Sequence, residues 1–281
     1  MIDSIFIERD VLDHPVSQQV VNRLKNADVF EIERYQEMFN RRQQNFRIQK
    51  QKPALILAKK YDNFVLPAPS GFGIDAQKNY YFSHMYNCIY DCRYCFLQGM
   101  YSSANYVLFV NYEDFFKKIS DVICENTNDS ITFFSGYDCD SLAFEKITGF
   151  AEKAVEFFSN FNSVELELRT KSIVSDTLLK RSPISNCIVA YSLSPSNVAS
   201  ILDHKAPSVE RRINALKLLA KNGWHVGLRF DPLIYCSDWK KIYSELFCQI
   251  FSDINIARVH SVSHGPLRYP KDMYKKISSL Y

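Results

Sequence analysis

Three cysteines, Cys88, Cys92 and Cys95, stand in the run Asn87-Cys88-Ile89-Tyr90-Asp91-Cys92-Arg93-Tyr94-Cys95-Phe96 with the spacing C-x3-C-x2-C. With eight cysteines among 281 residues, chance would place that pattern in such a chain roughly 0.006 times. The spacing therefore calls for a chemical reason. Three thiolates in one tight loop can converge on a single soft metal centre, and three rather than four leaves one coordination position open. Zinc is the rival centre. A structural zinc site needs a fourth ligand, and His84, four residues before Cys88, offers one, although zinc sites favour paired C-x2-C knuckles.

A loop of this kind has to be held by regular elements. Strands are expected at Ser4 to Glu8, Ala27 to Glu33, Ala54 to Ala58, Tyr80 to Met85, Ile131 to Ser135, Val164 to Arg169, Cys187 to Leu193, Val226 to Phe230 and Ile256 to Val262, all rich in β-branched and aromatic residues. Helical patterns lie after His14-Pro15 and at Tyr112 to Cys124, Leu142 to Phe158, Asp176 to Arg181, Val209 to Asn222 and Asp238 to Phe251. The last six strands alternate with helices, which implies a parallel sheet that curls into a partial or complete barrel. Functional groups gather at the C-terminal ends of such strands, and the cysteine loop directly follows the first of them.

The fold class is therefore α/β, a partial (β/α)6 barrel with a small N-terminal α/β subdomain. Residues 1–78 are read as that subdomain together with a basic segment and a linker. Residues 79–281 are read as the barrel, with a short C-terminal tail. From Arg41 to Lys60 there are seven Lys or Arg and no acid. That stretch is either a solvated loop leading into a strand or a patch that contacts phosphates. Cys124, Cys187 and Cys248 sit in apolar surroundings and read as buried packing. Arg229 and Asp231, ending the fifth barrel strand, read as an ion pair at the rim or as substrate contacts.

Composition excludes other classes. With 47% hydrophobic residues and eight glycines the chain is neither disordered nor fibrous. A net charge of +3 is too small to demand a polyanionic partner. No apolar run is long enough for a membrane span, and the start Met1-Ile2-Asp3-Ser4 is not a signal peptide. A cytoplasmic, reduced protein is the expectation.

The cysteine loop, with Tyr94 before its last cysteine, resembles that of the radical S-adenosylmethionine enzymes. Asn79-Tyr80-Tyr81-Phe82-Ser83-His84-Met85 before it and Phe96-Leu97-Gln98-Gly99 after it resemble the spore photoproduct lyase-like family in particular. So do the stretches from Asn40 to Lys50, Asp140 to Glu145 and Lys205 to Pro207.

That resemblance implies a [4Fe-4S] cluster held by Cys88, Cys92 and Cys95, and S-adenosyl-L-methionine as cosubstrate. It also implies a lyase whose 5′-deoxyadenosyl radical repairs UV-induced thymine lesions in DNA. Its partners would be DNA and an electron donor such as a flavodoxin or ferredoxin. Cys139 is the implied thiol hydrogen donor and Tyr94 a further catalytic residue. Ser135, Gly136, Ser141, Lys171 and Ser194 are implied to bind the cosubstrate, with Ser141 otherwise capping a helix at Leu142. The chain differs from the family's namesake at Phe96, where a tyrosine stands, and at Asp140, where a Thr-Ser-Asp run begins. Two alternatives stay open: radical chemistry on a different substrate, and a non-catalytic, metal-containing nucleic-acid-binding protein.

Overall fold

The computed structural model describes residues 2–268 and 271–280. It opens with strand β1 (Ser4–Glu8), helix Pro15–Arg23, and strands β2 (Asp28–Ile32) and β3 (Leu55–Ala58). Pro15 stands at the first helical position, where its missing N–H is not needed, and Val16 N donates to His14 Nδ1 at 3.2 Å. β1 lies between β2 and β3, all parallel.

β4 (Leu66–Pro67) is a short edge strand, antiparallel to β5 (Lys78–Phe82). After β5 the chain changes sheets. The continuous stretch expected from Tyr80 to Met85 is divided, because Ser83 and His84 leave the ladder. β6 (Met85–Tyr86) then pairs with β8 (Tyr106–Phe109), which itself lies parallel to β3. The first sheet thus has the order β2-β1-β3-β8-β6 and draws strands from both sides of residue 78.

The second sheet is completed by β9 (Ile131–Ser135), β10 (Val164–Thr170), β11 (Cys187–Ser192), β13 (His225–Leu233) and β14 (Val259–Pro266). Its order is β14-β13-β11-β10-β9-β5-β4. Six strands are mutually parallel and follow one another in chain order. This is the expected partial barrel, with β14 and β4 as its two edges. Two further two-residue strands, β7 (Asp91–Cys92) and β12 (Asp203–His204), pair antiparallel with each other.

The barrel's outer face carries Phe133, Leu166, Leu168, Val189 and Leu228, buried against helices that supply Phe115, Ile119, Val155, Phe158, Ile213 and Leu216. Helices Tyr112–Glu125, Val209–Lys221 and Trp239–Phe251 match the periodicity of the sequence. The pattern from Leu142 to Phe158 does not form one helix. Gly149, at φ +63°, breaks it into Glu145–Thr148 and Phe150–Phe158. The last strand starts later than expected, because Asn255 Oδ1 accepts from Ala257 N at 3.1 Å and folds Ile256–Arg258 into a 3-10 turn. Cys187 is buried as expected, but Cys124 and Cys248 are exposed, lying off the inward stripes of their helices. No helix among the described residues is long and apolar enough to cross a membrane.

Candidate functional site

The sheet change before β6 delivers the cysteine loop to the junction of the two sheets. Asn87 turns the chain at φ +67°, a conformation asparagine tolerates better than most residues, and its Nδ2 donates to the carbonyls of Ser103 and Asn105 at 2.8 and 2.7 Å. From the other side, β7 is clamped by β12, and Arg93 N donates to Leu202 O at 2.8 Å.

Inside the loop, Asp91 is buried and takes both arms of Arg47, Nη1 at 3.0 Å and Nη2 at 3.1 Å, as well as Gln98 Nε2 at 3.0 Å. Lys50 is buried too. Its Nζ donates to the Cys88 carbonyl, and its own carbonyl accepts from Lys205 Nζ at 2.9 Å. Neither reading of the basic stretch therefore describes Arg47 and Lys50, which turn inward and brace the loop. Lys60 is likewise buried, donating to the Tyr86 hydroxyl at 3.0 Å.

The three thiols are free. Burial pushes the Cys88 thiol up to about 12, with Lys50 pulling against it. Burial also raises Cys92 and Cys95, while Lys171 favours their thiolates. Metal ligands are thiolates, so two nearby lysines are what a buried cysteine cluster site needs. Burial works against the Lys171 ammonium, yet Tyr94, Cys92 and Asp203 together raise its pKa well above the lysine value. Its Nζ lies 5.3 Å from the Tyr94 ring centroid.

Tyr94 donates its O–H to Asp203 Oδ1 at 2.6 Å, and Asp203 Oδ2 accepts from Arg212 Nη1 at 2.7 Å. Asp203 and Arg212 are both buried; desolvation works against the carboxylate, but Lys171 and Arg212 outweigh it and lower its pKa.

At the end of β9, Ser135 is buried and its Oγ has no hydrogen-bond partner among the described residues. Gly136 has φ +87°, and a Cβ there would lie 2.5 Å from Ser141 Oγ. Ser141 Oγ donates to Ser135 O at 2.9 Å, so its hydroxyl fixes this turn. No helix starts at Leu142 for Ser141 to cap, and the N–H groups of the turn there are taken by Asp140. Asp140 Oδ1 accepts from Leu142 N, Ala143 N and Thr170 Oγ1, and Oδ2 from Lys171 N at 2.6 Å. Asp140 thereby joins the ends of β9 and β10, and sequence reasoning missed it.

Cys139, on the same turn, is buried within electrostatic reach of Cys88 and hydrogen-bonds the Met85 backbone. Burial, Cys88 and the flanking Asp138 keep its pKa high, and so keep it a thiol. Ser194 is buried just past β11. Phe96 packs on Tyr137, with centroids 5.5 Å apart, and Tyr137 stacks on Tyr81 at 4.4 Å. Arg229 and Asp231 do not pair with each other. Arg229 binds Glu167, and Asp231 Oδ2 accepts from Ser263 Oγ at 2.8 Å.

This donor set suits a cluster better than a single ion. Among the described residues no three His, Cys, Asp or Glu side chains gather closely enough to hold one metal ion. His84 is stacked on Phe150 at 3.7 Å, and burial lowers its pKa to about 3. Three thiols near the cationic Lys171 would suit a cluster with a polar ligand, and the orphaned Ser135 Oγ offers a further contact at the end of β9.

The family model for spore photoproduct lyase matches residues 1–269. The chain belongs to the spore photoproduct lyase family. Spore photoproduct lyase of Clostridium acetobutylicum is 25% identical over 255 residues, covering 88% of this chain and 73% of that protein. The Bacillus subtilis enzyme is 22% identical over 249 residues, covering 86% and 71%. A solved spore photoproduct lyase mutant with bound AdoMet and dinucleoside spore photoproduct aligns with all of this chain and 83% of that one, at TM-score 0.85 and 18% identity. At that identity the likeness carries the fold, and the family model carries the membership.

Proposed function

We propose that this member of the spore photoproduct lyase family is a radical S-adenosylmethionine lyase that repairs UV-induced thymine lesions in DNA. One observation carries the reading: the three-thiol loop, braced by Arg47 and Lys50, lies within electrostatic reach of Lys171 and of the Cys139 thiol. The relative solved with AdoMet and dinucleoside spore photoproduct binds ligands of this chemistry.

Cys88, Cys92 and Cys95 would hold the cluster. Bound there, the cluster and cosubstrate would supply a 5′-deoxyadenosyl radical for hydrogen abstraction from the lesion. The remaining work falls to side chains. Lys171 binds the cosubstrate carboxylate through a charge-assisted bond. Ser135 Oγ would gain the partner it lacks, and Gly136 lets Ser141 close the turn behind it. Asp203 and Arg212 fix Tyr94 and the loop. After the crosslink breaks, Cys139 would give its S–H hydrogen atom to the thymine radical, leaving a thiyl radical that one electron and one proton return to the thiol; burial of this thiol within electrostatic reach of Cys88 supports the role. The reductant is a one-electron protein donor of the flavodoxin or ferredoxin kind.

Phe96 has no phenolic hydrogen, and this favours, as a second reading, the same radical chemistry on another lesion. Anaerobic incubation with AdoMet, dithionite and a thymine-lesion dinucleotide separates them. Repaired dinucleotide supports the first reading. 5′-Deoxyadenosine without repair supports the second, and no cleavage of AdoMet rejects both.

A further inference from the structure

The inner face of the barrel sheet is charged. On β10, Leu166 and Leu168 face the helix-side core, while Glu165, Glu167 and Arg169 face the inside of the curve. Glu165 is occupied by Thr132 Oγ1 at 3.0 Å and by His260 Nε2 at 2.9 Å. Glu167 is fully buried, and fully buried Arg229 meets both its oxygens, Nε to Oε1 at 3.2 Å and Nη2 to Oε2 at 2.7 Å. Arg229 also donates to Ser261 Oγ at 2.9 Å. Gly227 leaves room for this guanidinium, since a Cβ there would lie 2.8 Å from Arg229 Nη2. The Glu167–Arg229 pair is complete and neutral.

Arg169 is a second cation on that already balanced carboxylate. Its Nε and Nη2 both lie 3.0 Å from Glu167 Oε1, and its side chain remains 32% exposed. Its Nη1 makes no hydrogen bond among the described residues. Two residues on, just past the end of β10, is Lys171, at the cosubstrate end. Asp231, the remaining acid on this face, is engaged by Ser263. A surplus guanidinium, fixed by a buried carboxylate and open to solvent, is suited to an anion that accepts a planar fork.

Resting on the lesion-repair reading, we infer that Arg169 binds the phosphodiester joining the two nucleosides of the lesion, with Glu167 as its positioning residue. A thymine dinucleotide carries one such charge between its sugars. Holding it at Arg169 places the lesion directly below the Cys139 and Lys171 end of the barrel.

The test compares a lesion dinucleotide, which has the phosphodiester, with the corresponding dinucleoside, which lacks it, in wild type, Arg169→Ala and Arg169→Lys. Wild type should show the lower KM for the dinucleotide. In Arg169→Ala that KM should rise about tenfold, the worth of one charge-assisted contact, while the KM for the dinucleoside stays put, so the preference disappears. Arg169→Lys, keeping the charge without the fork, should fall between and guards against a folding defect in the alanine variant. A preserved preference in Arg169→Ala, or an equal rise for both substrates, overturns the inference while leaving the lyase reading standing. Wild type converting neither substrate overturns that reading, and this inference with it.

Discussion

Arg47 and Asp91 form a two-armed ion pair, 3.0 and 3.1 Å long, across 44 residues of chain. It ties the segment before β3 to the middle of the cysteine loop. Arg47→Ala leaves the buried carboxylate with Gln98 and the longer 3.9 Å contact to Arg93, and should cost about 2 kcal/mol, a fall in Tm of roughly 5 °C. Calorimetry of the metal-free protein checks the stability, and iron content after reconstitution should fall alongside it.

Asp203 and Arg212 are each about 1% exposed and share a 2.7 Å contact. Asp203→Asn strands the guanidinium and weakens the acceptor of the Tyr94 hydroxyl. The expected loss is about 3 to 4 kcal/mol, read as a lower urea midpoint at unchanged slope.

His84 gives a pH dependence. Its pKa is about 3 in the fold because of burial, against 6.5 for an ordinary histidine, so between those values the unfolded chain binds the extra proton. The contribution of His84 is therefore fully present above about pH 6.5 and is lost as pH falls toward 3. His84→Phe keeps the stack on Phe150 without the titration. Its unfolding free energy should decline less than that of wild type between pH 6.5 and 4; parallel declines would contradict the assignment.

Cys139 lies beside the cysteine loop without belonging to it. Cys139→Ala should retain the cluster's visible spectrum and AdoMet cleavage, but repaired dinucleotide should fall sharply relative to 5′-deoxyadenosine. Loss of the spectrum would instead make Cys139 a ligand.

Local pattern was enough for the barrel. The β-branched runs at Ile131–Ser135 and Cys187–Ser192 and the amphipathic Val209–Lys221 are legible because burial on one face imposes their periodicity. The division of Tyr80 to Met85 was not, since no glycine or proline marks it and the packing of His84 on Phe150 decides it. The cysteines announced themselves by spacing. Their supports did not, because Arg47 meets Asp91, Asp140 meets Thr170, and Arg229 meets Glu167 across 44, 30 and 62 residues. For Arg229 the neighbouring Asp231 was the misleading partner. Side chains two apart on a strand share a face, but here both acids compete and the buried one wins.

The ligation of a redox-active iron–sulfur cluster by Cys88, Cys92 and Cys95 underlies every step proposed above. Anaerobic reconstitution followed by electron paramagnetic resonance of the dithionite-reduced protein tests it most directly. The expected result is a reduced-cluster signal in wild type that shifts when AdoMet is added and is absent from Cys92→Ala. Bound zinc with no such signal, or a signal unchanged in Cys92→Ala, would contradict it.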